Sequence, residues 1–432
     1  MIWNETMEKA GRQEIADLQL SRLRQVVASV YDNVPAYRRK MEAKKVKPED
    51  IRSLADLSRL PFTTKQDMRD AYPYGLLAVP MQQVVRLHSS SGTTGKPTVV
   101  AYTRNDLATW AEVIARTLAA GGVNDKSIFQ VSVNYGLFTG GLGWHYGVEK
   151  VGASVVPVSG GNTARQIMIM QDFGTTAMVA TPSYALHLAE TMQEVGVTPQ
   201  QTSLQSVFCG AEAWSDRMHK EVEDAFGVPA FDSYGLSEII GPGVSLECEA
   251  HSGLHIQEDH FYCEVIDPVT EEVLPEGEVG ELIITTLTKE GMPMLRYRTR
   301  DLTAMYRETC ACGRTQTKMK RVVGRSDDML IIRGANLFPS QVEDVLLSMG
   351  ETAPHYQLLV EREHSLDRLT VMVERANGLA AADPEKIRQA ERKIQEKLKA
   401  ATGLTPVVRL VDPKTIERSE GKAKRVIDRR AM

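Results

Sequence analysis

The sequence predicts an α/β chain in two parts: a large N-terminal domain of α/β layers with a β subdomain, and a small α+β C-terminal domain. Three observations predict it. Short apolar runs such as "SIFQVSV" (127–133), "ASVVPV" (153–158) and "SVFCGAE" (206–212) alternate with helical stretches, the pattern of βα layers. From about residue 255 to 300 the texture turns β-rich and is broken by Pro and Gly, which reads as hairpins. The last stretch, of roughly 100 residues, sets strands "YQLLVE", "LTVMVE" and "PVVRLV" around helices and is long enough to fold alone.

The whole chain supports that division. Its 432 residues exceed what one core organises, since domains run to about 100–200 residues. Hydrophobic residues at 42% and charged residues at 25% are an ordinary globular balance. A formal net charge of -5 gives no sign of nucleic acid or an anionic membrane as main partner. Five cysteines, an odd number, argue against a disulfide framework and fit a reducing compartment. The opening "MIWNETMEKAGRQEIADLQL" mixes charges throughout and reads as neither signal nor transit peptide. No run of about 18 uncharged apolar residues predicts a membrane span. The expected location is the cytoplasm.

The elements follow in order. Ile15, Leu18, Leu23, Val26, Val27 and Val30 predict an amphipathic first helix lying on a core. "VVRLH" and "TVVAYT" read as two strands around the loop "SSSGTTGKPT" (89–98). Residues 321–350 read as a strand, a glycine turn and a helix with Pro339 near its first turn. A helix over 384–401 has Asp383 as N-cap, Pro384 at its start and Gly403 just past its end.

The loop 89–98 is not a P-loop. Gly92 is followed by only two residues before Gly95-Lys96, and Pro97 stands where a helix with a hydroxyl should begin. A flexible linker fits badly between two strands. Glycines let backbone amides turn toward an anion, hydroxyls add donors, and Lys96 adds a point charge. Composition alone leaves a phosphate-binding hairpin loop and a structural turn both open.

The loop is similar to the signature loop of the adenylate-forming superfamily, and further motifs follow in that superfamily's order. The resemblance implies that Ser89, Ser90, Ser91, Gly92, Thr93, Thr94, Gly95 and Lys96 hold the β- and γ-phosphates of ATP. "GAEAW" (210–214) resembles the adenine-contacting turn, which would place Gly210, Ala211 and Glu212 against the base. "DSYGLSEI" (232–239) resembles the Tyr-Gly-x-Ser/Thr-Glu motif. There Tyr234 would stack on adenine, with Asp232 and Ser233 beside the base and Gly235 in the same turn. Ser237 would reach the α-phosphate, and Glu238 would hold Mg²⁺ with ATP oxygens. "RYRTRD" (296–301) departs from the usual pattern by Arg300 in place of glycine, yet aligns Asp301 for the ribose hydroxyls. "GRSDDMLIIRG" (324–334) resembles the hinge motif: Arg325 would contact ribose or phosphate, and Asp327 would be the hinge of a mobile C-terminal domain. That implies domains of 1–326 and 327–432. "RSEGKAKRVID" (418–428) would carry the catalytic Lys422. Taken singly, each motif also reads as an ordinary turn, a strand end or a solvated basic tail.

"RYRTRDLT", "GANLFPSQVE", "GPGVSLEC", "LHIQEDHF" and "TLTKEGMP" resemble the phenylacetate–CoA ligase family. That resemblance implies ATP, Mg²⁺ and coenzyme A, with an aryl acid made into its acyl-adenylate and passed to the CoA thiol. The chemistry suits the residues. A carboxylate would have to expel oxide; adenylation gives it a phosphate monoester leaving group. Glu238 with Mg²⁺, Lys96 and the loop amides would neutralise charge on the phosphates, and Lys422 would bridge carboxylate and α-phosphate. Lys422 would then have to leave for the thiol to enter, by rotation at the hinge.

In that family "VNYGLFTGGLGWHYG" (133–147) lines the acyl pocket. Tyr135, Phe138, Gly140 and Gly141 are expected near an aryl ring, closed by Ala211 and Ile239; the alternative is a tightly packed helix. Phenylacetate is the expected acid, with hydroxyphenylacetate, benzoate and indoleacetate close in size. Cys248, His255, Cys310 and Cys312 have the types and spacing of a structural Zn²⁺ site, with His251 as an alternative ligand; the other reading is reduced surface cysteines. Cys209 and Cys263, in apolar strands, are expected to be buried. Relatives imply a homodimer. Two competing functions are an adenylating ligase for another acceptor, as for a deazaflavin cofactor, and a nucleotide-binding regulator without turnover.

Overall fold

The structure, a computed structural model, describes residues 1–90, 97–333, 335–363, 366–376, 379 and 383–430. A hairpin of β1 (Arg86–Ser89) and β2 (Val99–Tyr102) pairs Ser89 with Val99, so the two strands flanking the Ser/Thr/Gly loop form as expected. Ser91, Gly92, Thr93, Thr94, Gly95 and Lys96 lie outside the described residues.

The central sheet has nine strands. β3 (Ile128–Val131), β4 (Ser154–Val156), β5 (Ala177–Ala180), β6 (Ser206–Gly210) and β7 (Ala230–Leu236) run parallel in the order β4-β3-β5-β6-β7. Four antiparallel strands extend it: β8 (Gly241–Glu247), β9 (Leu254–Ile256), β14 (Lys318–Met319) and, outermost, β13 (Met305–Tyr306). The parallel strands bury both faces, which is why they read as unbroken apolar runs. On β5, Ala177 and Val179 enter one core while Met178 and Ala180 enter another, the period-2 alternation of a strand.

Helices supply the rest of both cores. On one face lie α1 (Arg12–Asn33), α2 (Arg104–Ala120) and α3 (Thr139–Val151). On the other lie α4 (Thr163–Asp172), α5 (Pro182–Glu194) and α6 (Asp216–Phe226). In α1, Leu18 is only half-buried, whereas Gln19 is buried and donates to the Glu258 carbonyl at 2.8 Å. A specific polar contact there replaces the apolar one that periodicity suggests. Gly143 and Gly147 let α3 approach α2: a Cβ would lie 2.5 Å from the Trp110 ring and 2.1 Å from Ile114.

The β subdomain begins later than its texture suggests. Leu254–Ile256 joins the central sheet, and the second sheet is formed by β10 (Phe261–Ile266), β11 (Gly280–Thr286), β12 (Tyr297–Thr303) and β15 (Gly324–Arg325). Backbone pairing with β8 and β14 claims β9 first. Cys209 is buried on β6 as expected, but Cys263 on β10 is only half-buried.

The C-terminal unit has its own core. β16 (Leu330–Ile332) pairs with β17 (Ala335–Leu337), and a four-stranded sheet has the order β20-β19-β18-β21, with β18 Thr352–Glu363, β19 Leu366–Arg375, β20 Val407–Val411 and β21 Val426–Asp428. Against it pack α7 (Pro339–Leu347) and α8 (Pro384–Thr402), through Val342, Leu346, Ile394 and Leu398. The Asp383 side chain caps α8 by accepting from Glu385 N, and Gly403 ends it in the left-handed conformation at φ 73°. No helix among the described residues is long and apolar enough to cross a membrane.

Buried charge ties these layers together around the segment Gln257–Asp259. The Arg116 guanidinium, in α2, donates to both Asp259 oxygens at 2.9 and 3.0 Å and to Gln257 Oε1 at 3.1 Å. From α1, Arg12 forms a two-point bond to Glu258 at 2.9 and 2.7 Å. The Arg116 and Asp259 side chains are 2% and 3% exposed, so removing one leaves an uncompensated charge. Asp259→Ala should therefore destabilise the N-terminal domain by about 3–5 kcal/mol, measured as a lower urea midpoint at pH 7.

Candidate active site

The segments singled out in the sequence gather where parallel strands end. Register pairs Val131 with Val179, Ala180 with Cys209 and Gly210 with Ser233. The chain leaving β3 therefore carries Tyr135 and Phe138, that leaving β5 starts α5, that leaving β6 carries Ala211 and Glu212, and β7 ends in Tyr234–Leu236. Carboxyl ends of parallel strands are the usual binding edge of such sheets.

Three nucleotide candidates form one chain of hydrogen bonds. Tyr234 donates its hydroxyl to Asp301 Oδ2 at 2.6 Å. Arg325, paired with Asp301 across β12 and β15, donates to Asp301 Oδ1 at 3.0 Å. The same guanidinium grips Asp327 at 2.9 and 3.0 Å. Burial raises the pKa of Asp301, while Arg325 and the Tyr234 hydroxyl oppose the rise. Two residues before Tyr234 on β7, Asp232 is buried, and its pKa is pushed up to about 7 by that burial and by Glu247, against Arg321.

Glu238, Ser237 and Ile239 follow β7 and are buried. Ser237 and Thr139 share a hydroxyl hydrogen bond of 2.8 Å, joining the Glu238 segment to the start of α3. Ser89 N donates to the Leu137 carbonyl at 2.9 Å, and His88 Nδ1 lies 3.0 Å from the same oxygen, joining β1 to the Tyr135–Phe138 segment. Ser90 is held by Thr98, whose hydroxyl donates to Ser90 Oγ at 2.7 Å.

In the expected acyl segment, a Cβ on Gly140 would meet the Phe138 ring at 2.5 Å, and one on Gly141 would meet the Asn134 carbonyl at 2.8 Å. The Tyr135 hydroxyl lies 3.2 Å from His145 Nδ1. Glycines are thus required beside these rings, while Gly143 and Gly147 answer to helix packing, so both readings of the segment apply to different residues.

Lys422 reaches the same cleft from the C-terminal unit. It is accessible from the open cleft, yet burial by the surrounding walls lowers its pKa, opposed by the charges of Glu212, Asp301 and Glu238. Around it, Arg418 bridges Glu190 of α5 at 2.9 Å and Glu374 of β19 at 2.8 Å, and His355 Nε2 lies 2.5 Å from Glu190.

Several residues at the site have no role that the sequence assigns. Lys65 Nζ lies 3.6 Å from Glu238 Oε1. Lys289 is 5% exposed, donates to the Glu238 carbonyl at 3.1 Å, and lies 5.1 Å from the Tyr102 ring centroid. Burial pushes its pKa down to about 8. Both lysines stand in segments with no motif for metal or phosphate, and Glu190 meets Arg418 only across 228 residues.

The sulfur cluster also assembles. Ligand atoms of Cys248, His255, Cys310 and Cys312 all lie within 4.8 Å of one another. Cys248 and Cys310 sulfurs are 3.6 Å apart, as are Cys312 Sγ and His255 Nε2. His251 belongs to a different group, with His219 and Glu247. There Arg321 occupies Glu247 at 2.6 Å, and His219 Nε2 lies 2.9 Å from the Ala230 carbonyl, so hydrogen bonds already engage that trio.

The chain resembles known proteins along nearly its whole length. The family model for AMP-binding enzyme matches residues 7–288, and that for AMP-binding enzyme C-terminal domain matches 334–430. The chain is 50% identical to phenylacetate-coenzyme A ligase of Thermus thermophilus, with both chains covered completely. It is 48% identical to phenylacetate-coenzyme A ligase of Escherichia coli, over 98% of this chain and 97% of that one. Among solved structures, 2-hydroxyisobutyryl-CoA ligase in the postadenylation state with 2-HIB-AMP superposes with a TM-score of 0.93 at 28% identity, covering 99% of this chain and 92% of that one. The same enzyme in its thioesterification state with 2-HIB-AMP and CoA gives 0.74 at 29% identity, over 100% and 93%. The two-domain arrangement here is thus nearer to that relative's postadenylation structure than to its thioesterification structure. With the family model covering most of the N-terminal part and near-full-length relatives at this identity, the chain belongs to the AMP-binding enzyme family.

Proposed function

We propose that this protein is an ATP-dependent aryl acid–coenzyme A ligase, with phenylacetate as its acid. One observation carries the reading: Tyr234, Asp301, Glu238 and Lys422, from two domains, converge on one cleft in a chain 46–50% identical to enzymes named phenylacetate-coenzyme A ligase. The acid's carboxylate oxygen attacks the α-phosphorus of ATP, the bond to the β-phosphate oxygen breaks, and pyrophosphate leaves. The CoA sulfur then attacks the acyl carbon, AMP departs with the bonding pair, and the thiol proton goes to solvent.

Placement and the family resemblance support these roles. Tyr234 presents a ring for the base, with Asp232, Ser233 and Gly235 along its strand, while Asp301 holds its hydroxyl and faces the ribose with Arg325. Gly210 and Ala211 leave the neighbouring strand beside Ser233 and face the base, whereas the Glu212 carboxylate turns away to the Ser183 and Ala423 amides. Ser89 and Ser90 enter the phosphate loop that continues through Lys96. Lys422 bridges carboxylate and α-phosphate and orients in-line attack. Tyr135, Phe138, Gly140, Gly141 and Ile239 shape the aryl site. Asp327, gripped by Arg325, is the pivot, which divides the chain at 326/327.

Glu238 fits a magnesium ion. Its carboxylate is nearly buried, and the contacts described for it are 3.5 Å from the Thr98 hydroxyl and 3.6 Å from Lys65. Its oxygens therefore retain acceptor capacity, and the ion prefers one or two carboxylates plus phosphates. When bound with ATP it would neutralise phosphate charge. The four-residue cluster Cys248, His255, Cys310 and Cys312 fits a structural zinc ion. A tetrahedron with metal–sulfur bonds of about 2.3 Å has sulfurs about 3.8 Å apart, close to the 3.6 Å between Cys248 and Cys310. Buried Glu8 and Arg314, bonded at 2.6 Å, tie this knuckle to the N-terminus, so the ion would brace the fold rather than the chemistry. A cytoplasmic homodimer completes the reading, supported by the odd cysteine count of the sequence for the compartment alone.

Acid-dependent ATP–pyrophosphate exchange across an aryl acid panel tests the function. Exchange is expected to be strongest with phenylacetate, and its absence with every acid would overturn the reading. Lys422→Ala should lower exchange by about 100-fold or more while thioester formation from synthetic acyl-adenylate and CoA persists; loss of neither half-reaction would remove Lys422 from its role. Protein purified without chelator should carry about one zinc per chain, and Cys312→Ser should reduce that content and the thermal midpoint together.

A further inference from the structure

Lys422 is gripped from both sides by groups of the other domain. Thr181, which caps α5 by accepting from Tyr184 N at 3.3 Å, donates its hydroxyl to the Gly421 carbonyl at 2.9 Å. Glu212 Oε1 accepts from Ala423 N, on the other side of the lysine. Glu212 Oε2 accepts from Ser183 N at 3.1 Å, a free amide in the first turn of α5. A carboxylate at a helix N-terminus is stabilised there, so this anchor is firm. Inside the loop, Ser419 Oγ donates to the Lys422 carbonyl at 2.8 Å and accepts from Gly421 N at 3.2 Å, which shapes the turn without fixing its place.

We propose that Glu212 is a positioning residue specific to the first half-reaction: its carboxylate spans from the start of α5 to the Ala423 amide and, with Thr181 at Gly421, sets Lys422 in the cleft. The inference rests on the ligase reading above. The carboxylate is committed to two backbone amides, and it is the foremost of the charges that favour the lysine's ammonium form. Both gripping bonds join the domains, so they exist only in the arrangement shared with the postadenylation relative. Any rotation that withdraws Lys422 breaks them. The pair Glu190–Arg418 at 2.9 Å crosses the same interface but lies four residues before the lysine, so it docks the domain without setting the side chain.

The prediction separates two roles for Glu212. As a positioning residue, Glu212→Ala should lower kcat for phenylacetate-dependent ATP–pyrophosphate exchange about 10- to 100-fold, as expected for lost hydrogen bonds to a charged group. KM for ATP should move less than about 3-fold, and thioester formation from synthetic phenylacetyl-AMP and CoA should stay within about 2-fold, both under half a tenfold step in free energy. Glu212→Gln, which keeps one acceptor oxygen, should recover part of the loss. Thr181→Val should show the same split more weakly, and it decides the matter if Glu212→Ala does not fold. A rise in KM for ATP with both half-reactions impaired would instead make Glu212 a contact to the nucleotide and overturn the proposal, as would unchanged exchange in both variants. Wild-type protein without exchange would refute the ligase reading itself.

Discussion

The parallel register of β4-β3-β5-β6-β7 is the constraint on which the site depends. Parallel neighbours end at the same edge, so the segments leaving β3, β5, β6 and β7 are brought side by side although about 100 residues of chain separate the first from the last. Burial of both faces protects that register, because slipping one residue would move Val179 and Met178 into each other's cores. The cross-links that refine the site are small beside this: a hydroxyl pair from Ser237 to Thr139 and two contacts on the Leu137 carbonyl. They adjust loops that the sheet has already delivered.

The docking of the C-terminal unit has a different character. It has its own apolar core and meets the larger domain chiefly through charge and backbone hydrogen bonds: Glu190 to Arg418 and His355, Glu343 to Ser215 N at 3.2 Å, and the Gly421–Ala423 grip. Such contacts resemble transient rather than permanent interfaces. They can be exchanged for water at small net loss, whereas separating two apolar faces could not. The relative solved in two arrangements, matching at 0.93 and 0.74, shows that this architecture accommodates both.

Buried charge appears where rigidity is needed. Arg116, Asp259 and Gln257 lock the turn that leads from the central sheet into the β subdomain, and Glu264 receives Arg296 at 3.0 Å within it. These pairs stabilise little against apolar substitutes of the same size, but they allow one geometry only. Lys289 under the Glu238 carbonyl is the same device at the site, with a carbonyl and an aromatic ring in place of a carboxylate partner.

By itself the sequence determined the fold class, the hairpin around the Ser/Thr/Gly loop, the caps of the helix at 384–402 and the set of motif residues, because each is a local pattern: alternation, a turn residue, a short spacing. It also offered Cys248, His255, Cys310 and Cys312 as a candidate metal set, with His251 as an alternative ligand and reduced surface cysteines as the other reading. Only the tertiary structure decided that His251 joins His219 instead, that Leu254–Ile256 pairs into the central sheet, and that Lys65 and Lys289 meet Glu238. It alone placed the Glu212 carboxylate on the Ala423 amide, 211 residues away. The physical reason is common to all four. A hydrogen bond or ion pair depends on distance in space, and separation along the chain carries no trace of it until strands and helices have packed.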